Sequence, residues 1–289
     1  MLRAEECRQR RQRLWQRLDS PPEGGVLLLA DPIHLMYLAN FFVDPFSLGA
    51  GFGGLLLVRR DGQAVLIHDD RLPASVDQAH VEERRVVPWY DGRSPARCPR
   101  RLALLQGLAD LKEQPRIHDR PEDPFGPVLI ETLTAMRRQK DADEIALLRR
   151  CVQAAEAGHA WARDHLQPGM TELDVYCGVS TACIQQAKQA VIVYGDFAVS
   201  PGPERTGGPP TNRVLQSGDM FILDFSVVMG GYRSDFINTL VVGREPTADQ
   251  RRLADLCRGA LAAGEQELRA GAACRTVYQA VRSVFAKAG

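Results

Sequence analysis

Asp224 and Asp235 are the residues whose type and spacing could do chemistry. They lie eleven positions apart within Gly218–Gly243. Met220–Val227 is largely apolar and Tyr232–Val242 is rich in β-branched and aromatic residues, so both segments are predicted to be strands. The glycines between them supply the positive φ that a tight turn requires. The sequence therefore predicts a β-hairpin with one carboxylate on each strand.

The predicted geometry brings the two carboxylates together. A turn centred between Met229 and Gly230 places Asp224 directly opposite Asp235, on the same face of the sheet. Facing like charges destabilise a strand pair, so a divalent cation, a shared proton or exposure to water must offset the repulsion. Apolar neighbours on both faces predict a covered hairpin, and facing carboxylates in such a place suit a hard or borderline divalent metal. The residues alone nevertheless favour the plainer alternative, two acids solvated at a sheet edge.

Four segments resemble the pita-bread metallopeptidases, which include Xaa-Pro aminopeptidases, prolidases and methionine aminopeptidases, with creatinase as a metal-free relative. The aspartate hairpin resembles the first metal-ligand segment of that family and is the most specific match. Met136–Arg150 resembles the linker and first helix of the catalytic domain, and Leu166–Tyr176 resembles the turn into the second helix. Val26–Phe41 is similar to the opening strand of the creatinase-type N-terminal domain. The resemblance extends over nearly the whole chain and reverses the preference for solvated acids.

The resemblance implies a metal site in which Asp224 chelates one ion and Asp235 bridges two, with a histidine and two glutamates as the remaining ligands. Those ligands, and the catalytic glutamate and histidine with them, are expected beyond Gly289, so no catalytic residue of this chain is assigned. A carboxylate-rich site with one histidine favours Mn²⁺, with Co²⁺ or Zn²⁺ as alternatives. A dinuclear centre is expected only if the missing ligands are supplied.

The implied function is metal-dependent hydrolysis of peptides at Xaa-Pro bonds, of the aminopeptidase P or prolidase type. A chain that ends before those ligands is not expected to make a working enzyme alone. Two alternatives stay open: a non-catalytic binding module on the same fold, and a metal-free, creatinase-like hydrolase of a small C–N substrate. Both aspartates are present and no histidine follows His165, which argues against the creatinase-like alternative. The expected partner is a peptide substrate, and the resemblance also implies a homodimer, since relatives often dimerise.

An internal repeat predicts where the chain stops within this fold. Leu166–Val179 aligns without gaps to Leu268–Val281, 102 positions later, with five identities in fourteen positions. In the first copy, strands follow the helices from about Ala190 to Val242. The corresponding strands of the second copy fall beyond Gly289. The sequence is therefore expected to be truncated inside its second repeat.

The predicted architecture has two domains. Residues 1–135 form an α/β creatinase-type N-terminal domain, with strands at Val26–Ala30, Gly53–Val58 and Ala64–His68. Residues 136–289 form an α+β pita-bread catalytic domain that is incomplete at its C-terminus.

Periodic apolar residues place the elements of the second domain. One helix is predicted to begin near Asp141 and to end before Pro168, and another begins near Thr171. A strand at Ala190–Tyr194 precedes the aspartate hairpin. Thr247 then begins a capping box for a later helix.

Composition excludes several classes of function. Lys plus Arg equals Asp plus Glu at 36 each, so no net charge favours nucleic acid. The local excess of arginine in Arg3–Arg17 is interrupted by apolar and acidic residues and predicts an amphipathic helix with a solvated basic face. No apolar run approaches the roughly 18 residues that a membrane span needs. Seven dispersed cysteines without a C-x-x-C pair fit reduced thiols, so a cytoplasmic protein is expected.

The histidines are not predicted to be ligands. His159 and His165, on the first helix of the second domain, are predicted to be surface or core residues, and the N-terminal histidines to be polar loop or helix-surface residues. Family members often carry a substrate-contacting histidine about a dozen residues before the Gly-Asp of the hairpin. This chain has the loop Pro203–Arg213 there, with Gly207 or Gly208 near that place, and a plain loop is predicted.

Overall fold

The computed structural model describes residues 1–22, 24–47, 49–93, 95–96, 98–109, 111, 116–200 and 207–289. Its helices are α1 (Ala4–Gln16), α2 (Pro32–Ala39), α3 (Pro73–Asp77), α4 (Arg100–Gln106), α5 (Gly126–Arg138), α6 (Ala142–His165), α7 (Glu172–Ala187), α8 (Ala248–Glu267) and α9 (Cys274–Ala288). Its strands are β1 (Val26–Leu29), β2 (Leu55–Arg59), β3 (Ala64–Asp69), β4 (Glu83–Val87), β5 (Ile192–Val199), β6 (Met220–Met229), β7 (Tyr232–Arg233) and β8 (Phe236–Val241).

The chain divides into two compact units, each built from several segments. The first unit consists of Met1–Glu156, Cys183–Val193 and Ser226–Asp235. The second consists of Ala157–Ala182, Tyr194–Phe225 and Phe236–Gly289. The domain boundary between residues 135 and 136 stays a prediction.

A sheet in the order β1-β2-β3-β4 forms the centre of the first unit. β1, β2 and β3 are antiparallel neighbours, whereas β4 joins β3 in parallel. Leu27 and Leu29 pack on one side with residues of α1, α2 and α5, and Val26 and Leu28 pack on the other with Leu104 of α4. Because both faces are covered, these strands are apolar without alternation. The three predicted strands are confirmed, with small shifts at their ends.

The predicted solvated basic face of α1 is wrong at two arginines. Arg10 is 0% exposed and Arg11 is 1% exposed. Arg10 pairs with Asp143 and, from Nε, with Asp141 Oδ2 at 2.8 Å. Arg11 pairs with Glu82 at 3.0 Å and donates to backbone carbonyl oxygens. Buried charges persist only when they are paired and hydrogen-bonded, so these two arginines belong to the interior of the unit.

The helix junctions follow the sequence repeat. α6 ends at His165 and α7 begins at Glu172, whereas α8 ends at Glu267 and α9 begins at Cys274. Both boundaries are therefore displaced by the 102 positions of the repeat. The predicted capping box at Thr247 is present. None of the described helices combines the length and the apolar character required to cross a bilayer.

A second sheet contains the aspartate hairpin. β6 pairs with β5, with β7 near the turn and with β8 further along. The strand predicted at Ala190–Tyr194 begins two residues later and runs to Val199.

Candidate metal centre

The turn of the aspartate hairpin lies one residue further along the chain than predicted. Met229 pairs with Tyr232, so Gly230 and Gly231 form a two-residue loop. Both glycines have positive φ, 53° and 80°, which is the combination that a type I′ turn between twisted strands requires. Only glycine adopts this conformation at little cost. The two glycines therefore occupy the loop, and Met229 stays in the strand.

This register changes the relation between the two aspartates. Asp224 lies opposite Ile237, and Phe225 lies opposite Phe236. The predicted direct opposition of Asp224 and Asp235 is therefore wrong. Moving the centre of the turn by one residue moves the cross-strand partner by two positions, so Asp235 lies two residues before the partner of Asp224. The repulsion expected between direct cross-strand partners is therefore avoided.

The two faces of β6 differ in burial around Asp224. Phe221, Leu223 and Phe225 are at most 1% exposed. On the other face Asp224 is half-buried, Ile237 is 53% exposed, and Asp235 is exposed. The prediction of a hairpin covered on both faces is thus wrong for the face with the carboxylates. Water and a cation can reach that face.

Ser234 interrupts the strand pairing one residue before Asp235. The Val227 N–H donates to Ser234 Oγ at 2.9 Å, and the Ser234 N–H donates to the Val227 carbonyl at 3.1 Å. The hydroxyl of Ser234 thus takes the place that its own carbonyl would have in a regular ladder. Ser234 and Asp235 are not part of a strand. The sequence gives no signal for this role of Ser234, because a single buried serine has no periodic pattern.

Tyr232 fixes the beginning of the second hairpin strand to α6. Its hydroxyl donates to Glu144 Oε1 at 2.7 Å, and the Cys151 thiol donates to its carbonyl at 3.3 Å. Glu144 is 1% exposed and lies 3.7 Å from the Arg10 guanidinium. Burial, and then the Glu144 carboxylate, raise the pKa of Tyr232 far above its usual value. The phenol therefore remains a neutral donor.

His159 lies on the buried side of the hairpin. Its ring stacks on Phe225, with ring centroids 4.6 Å apart, and on Phe236, with centroids 4.8 Å apart. It is 3% exposed. Burial, and then the charge of Arg163, lower the pKa of His159 to about 4. His159 is therefore neutral at pH 7 and belongs to the core, which is one of the two roles predicted for it. His165 is exposed, and its Nδ1 lies 2.8 Å from the Trp161 carbonyl oxygen.

The N-terminal histidines are mostly buried, contrary to the prediction. His34 is 4% exposed, and His68 and His118 are each 8% exposed. Nδ1 of His34 lies 2.9 Å from Asp119, and the Leu28 N–H donates to Nδ1 of His118 at 3.0 Å. These histidines therefore satisfy polar groups in the core of the first unit.

The strand β5 approaches the backbone of Asp224 closely. A Cβ at Gly195 would lie 2.0 Å from the Asp224 carbonyl oxygen and 2.6 Å from Cα of Phe225. Only a residue without a side chain fits at this point. The sequence gives no signal for Gly195, because the need for glycine comes from a neighbouring strand.

The loop before the hairpin is held at its described end. Residues 203–206 of the predicted loop lie outside the described residues. The Phe197 N–H donates to the Gly208 carbonyl at 3.0 Å. Thr211 donates from its N–H and its hydroxyl to the buried Glu172 carboxylate, at 2.9 and 2.6 Å. The segment from Gly208 to Thr211 is thus tied to β5 and to the beginning of α7.

The donor set fits part of a divalent metal site. The carboxylates of Asp224 and Asp235 are hard oxygen ligands, the type that Mn²⁺ and similar ions accept. Within the described ranges, no three His, Cys, Asp or Glu side chains converge in the way that a metal cage requires. Asp224 and Asp235 can therefore supply two ligands, with water or other groups in the remaining positions.

Comparison with known proteins gives a consistent family signal. The model of "Metallopeptidase family M24" matches residues 146–289. The "Probable dipeptidase PepE" of Mycobacterium tuberculosis is 31% identical over 277 residues, covering 91% of this chain and 71% of that relative.

Solved structures share the fold at lower identity. The Xaa-Pro dipeptidase from Bacillus anthracis has a TM-score of 0.69 at 20% identity, covering 99% of this chain and 78% of that structure. The X-Pro aminopeptidase from Thermotoga maritima has a TM-score of 0.68 at 18% identity, covering 100% and 78%. At these identities the structures show a common fold.

Proposed function

The chain belongs to metallopeptidase family M24, and from this membership we propose that it hydrolyses peptides at Xaa-Pro bonds with the aid of a divalent metal. The resemblance to the pita-bread metallopeptidases, predicted from the aspartate hairpin and the helix junctions, is confirmed. Support for Xaa-Pro specificity comes from the names of the structural neighbours, an Xaa-Pro dipeptidase and an X-Pro aminopeptidase.

The observation that supports the proposal is that Asp224 lies opposite the exposed Ile237 in the β6–β8 ladder and that the exposed Asp235 immediately precedes β8. These two carboxylates would hold the metal, for which Mn²⁺ is our first choice and Co²⁺ or Zn²⁺ the alternatives. When bound, such an ion supplies Lewis acidity, which acidifies a water molecule and polarises a peptide carbonyl.

The surrounding residues orient the carboxylates. Ser234 ends the regular pairing before Asp235 through its bond to Val227. Tyr232 ties the same strand to the buried Glu144. These hydrogen bonds restrict the backbone that leads to Asp235, and a ligand held in place before the metal arrives binds with a smaller loss of entropy.

Peptide hydrolysis by the metal-stripped chain, with and without Mn²⁺, tests this function. We expect cleavage of Ala-Pro or Ala-Pro-Ala, but not of Ala-Ala, and we expect EDTA to abolish it and Mn²⁺ to restore it. Cleavage of Ala-Pro alone would indicate a dipeptidase, and release of alanine from Ala-Pro-Ala an aminopeptidase. Mn²⁺ binding without cleavage would support a binding module, or the expectation from the sequence that this chain does not make a working enzyme alone. EDTA-resistant cleavage of a small C–N substrate would support the creatinase-like alternative.

A further inference from the structure

His159 contacts both strands of the hairpin from behind. The ring planes of His159 and Phe225 are 26° apart, and those of His159 and Phe236 are 27° apart, so the imidazole stacks on both phenyl rings. Phe225 and Phe236 are direct cross-strand partners. The imidazole ring of His159 therefore contacts both members of one cross-strand pair.

The two phenylalanines immediately follow the two candidate ligands. Asp224 precedes Phe225 and Asp235 precedes Phe236 in the chain. Side chains alternate along a strand, so the phenyl rings point to the buried side while Asp224 points to the accessible side. One peptide unit therefore connects each phenylalanine of the pair to a candidate ligand.

A hydrogen bond fixes the rotation of the imidazole ring. The Asn238 side-chain amide donates to Nδ1 of His159 at 3.3 Å. Asn238 lies on β8, opposite Leu223 of β6. The ring is thus held by stacking and by a polar contact, whereas an apolar residue of similar size would be held by packing alone.

Phe225 has aromatic support on a second side. Its ring stacks on Phe197 of β5, with centroids 5.3 Å apart, and Phe197 meets Tyr176 of α7 edge to face at 5.1 Å. Aromatic pairs of this kind contribute about 0.5 to 1.5 kcal/mol beyond their buried area. His159 completes this cluster at the point nearest to β8.

We propose that His159 is a positioning residue for the candidate metal ligands, because its ring holds the Phe225–Phe236 pair and thereby restricts the backbone that directly follows Asp224 and Asp235. The predicted effect of His159 on Mn²⁺ binding rests on the proposed function. Its predicted effect on the stability of the hairpin does not. His159 itself does not touch the metal, since it lies on the opposite side of the hairpin.

The test compares His159→Leu, which removes both stacking and the hydrogen bond, with His159→Phe, which keeps an aromatic ring. His118→Leu serves as the control, because it replaces a buried histidine of the first unit. Two quantities are measured on the full chain: amide hydrogen exchange of β6 and β8 without metal, and the affinity for Mn²⁺ by titration.

We expect His159→Leu to speed hairpin exchange at least about tenfold and to weaken Mn²⁺ binding by a similar factor. His159→Phe should restore both to within about threefold. His118→Leu should lower the melting temperature but leave both hairpin quantities unchanged. If His159→Leu does not fold, His159→Gln replaces it, since glutamine keeps a polar acceptor and loses the ring.

Unchanged exchange and unchanged Mn²⁺ affinity in a folded variant without the ring would overturn the inference. If the wild-type chain takes up no Mn²⁺, the proposed function fails, and the positioning role then stands or falls on hairpin exchange alone. Tighter Mn²⁺ binding with unaltered exchange in His159→Leu would also contradict it. These results separate a failure of His159 from a failure of the metal site.

Discussion

Asp224 lies directly opposite Ile237 in the β6–β8 ladder, with Asp235 two residues before that partner. The two carboxylates are therefore not direct cross-strand partners. Direct like-charge partners destabilise a strand pair, and this register avoids that cost, so the hairpin can form without a bound cation. The site is thus available to a metal after folding and does not depend on it.

Gly195→Ala should destabilise the fold, because the new Cβ would overlap the backbone of Asp224. We expect a loss of about 1 to 3 kcal/mol, the usual cost of overpacking, measured by urea denaturation. Gly259→Ala is the matched control: it lies exposed in α8 with ordinary space around a Cβ, and should gain up to about 1 kcal/mol from helix propensity. Equal stability of Gly195→Ala and wild type would show that β5 does not approach Asp224 this closely.

Ser234→Ala should remove the acceptor of the buried Val227 N–H. An unsatisfied buried donor costs about 1 to 3 kcal/mol, and the free energy of unfolding should fall by that amount. Ser283→Ala, at an exposed position of α9, should change it by less than about 0.5 kcal/mol. If the two variants are equally stable, Ser234 does not hold the strand before Asp235.

Arg10→Met should be far more damaging than Arg8→Met, although both arginines lie in the same helix. Arg10 is buried with Asp141 and Asp143, whereas Arg8 is exposed. Removing one partner of a buried ion pair costs about 3 to 5 kcal/mol. Thermal and denaturant unfolding of the two variants would measure the difference. Similar effects at both positions would support the solvated basic face that the sequence predicted.

Some features of this fold are predictable from the sequence, whereas others, such as the difference between Arg10 and Arg8, are not. Helix junctions separated by 102 positions and the turn glycines have local signals, and both were predictable to within a residue or two. The one-residue error at Met229 arose because the turn type, which decides the cross-strand partner of Asp224, depends on φ at both glycines. Arg10 and His159 could not be placed, because the acids that pair with Arg10 and the rings and amide that contact His159 lie 66 or more residues away in the chain.

The metal-free protein should lose stability between about pH 6.5 and pH 4 through His159. The pKa of this histidine is lowered to about 4 in the folded chain from an ordinary value of 6.5, so the unfolded chain binds the proton more readily. The stabilisation that results from this difference in pKa is fully present above pH 6.5 and is lost as the pH falls to about 4. The loss amounts to up to about 3 kcal/mol. The difference in unfolding free energy between wild type and His159→Phe, measured as a function of pH, separates the contribution of His159 from that of the acidic residues. A difference that does not vary with pH would contradict the buried, neutral state of His159.

Titration of Mn²⁺ into the metal-stripped chain tests the central claim most directly. Asp224→Asn and Asp235→Asn should each bind Mn²⁺ at least about tenfold more weakly than wild type, a loss of about 1.4 kcal/mol. Asp164→Asn, which removes an exposed carboxylate at the end of α6, should bind like wild type. Equal Mn²⁺ affinity in all four proteins, or no saturable binding by the wild-type chain, would contradict the assignment of Asp224 and Asp235 as metal ligands.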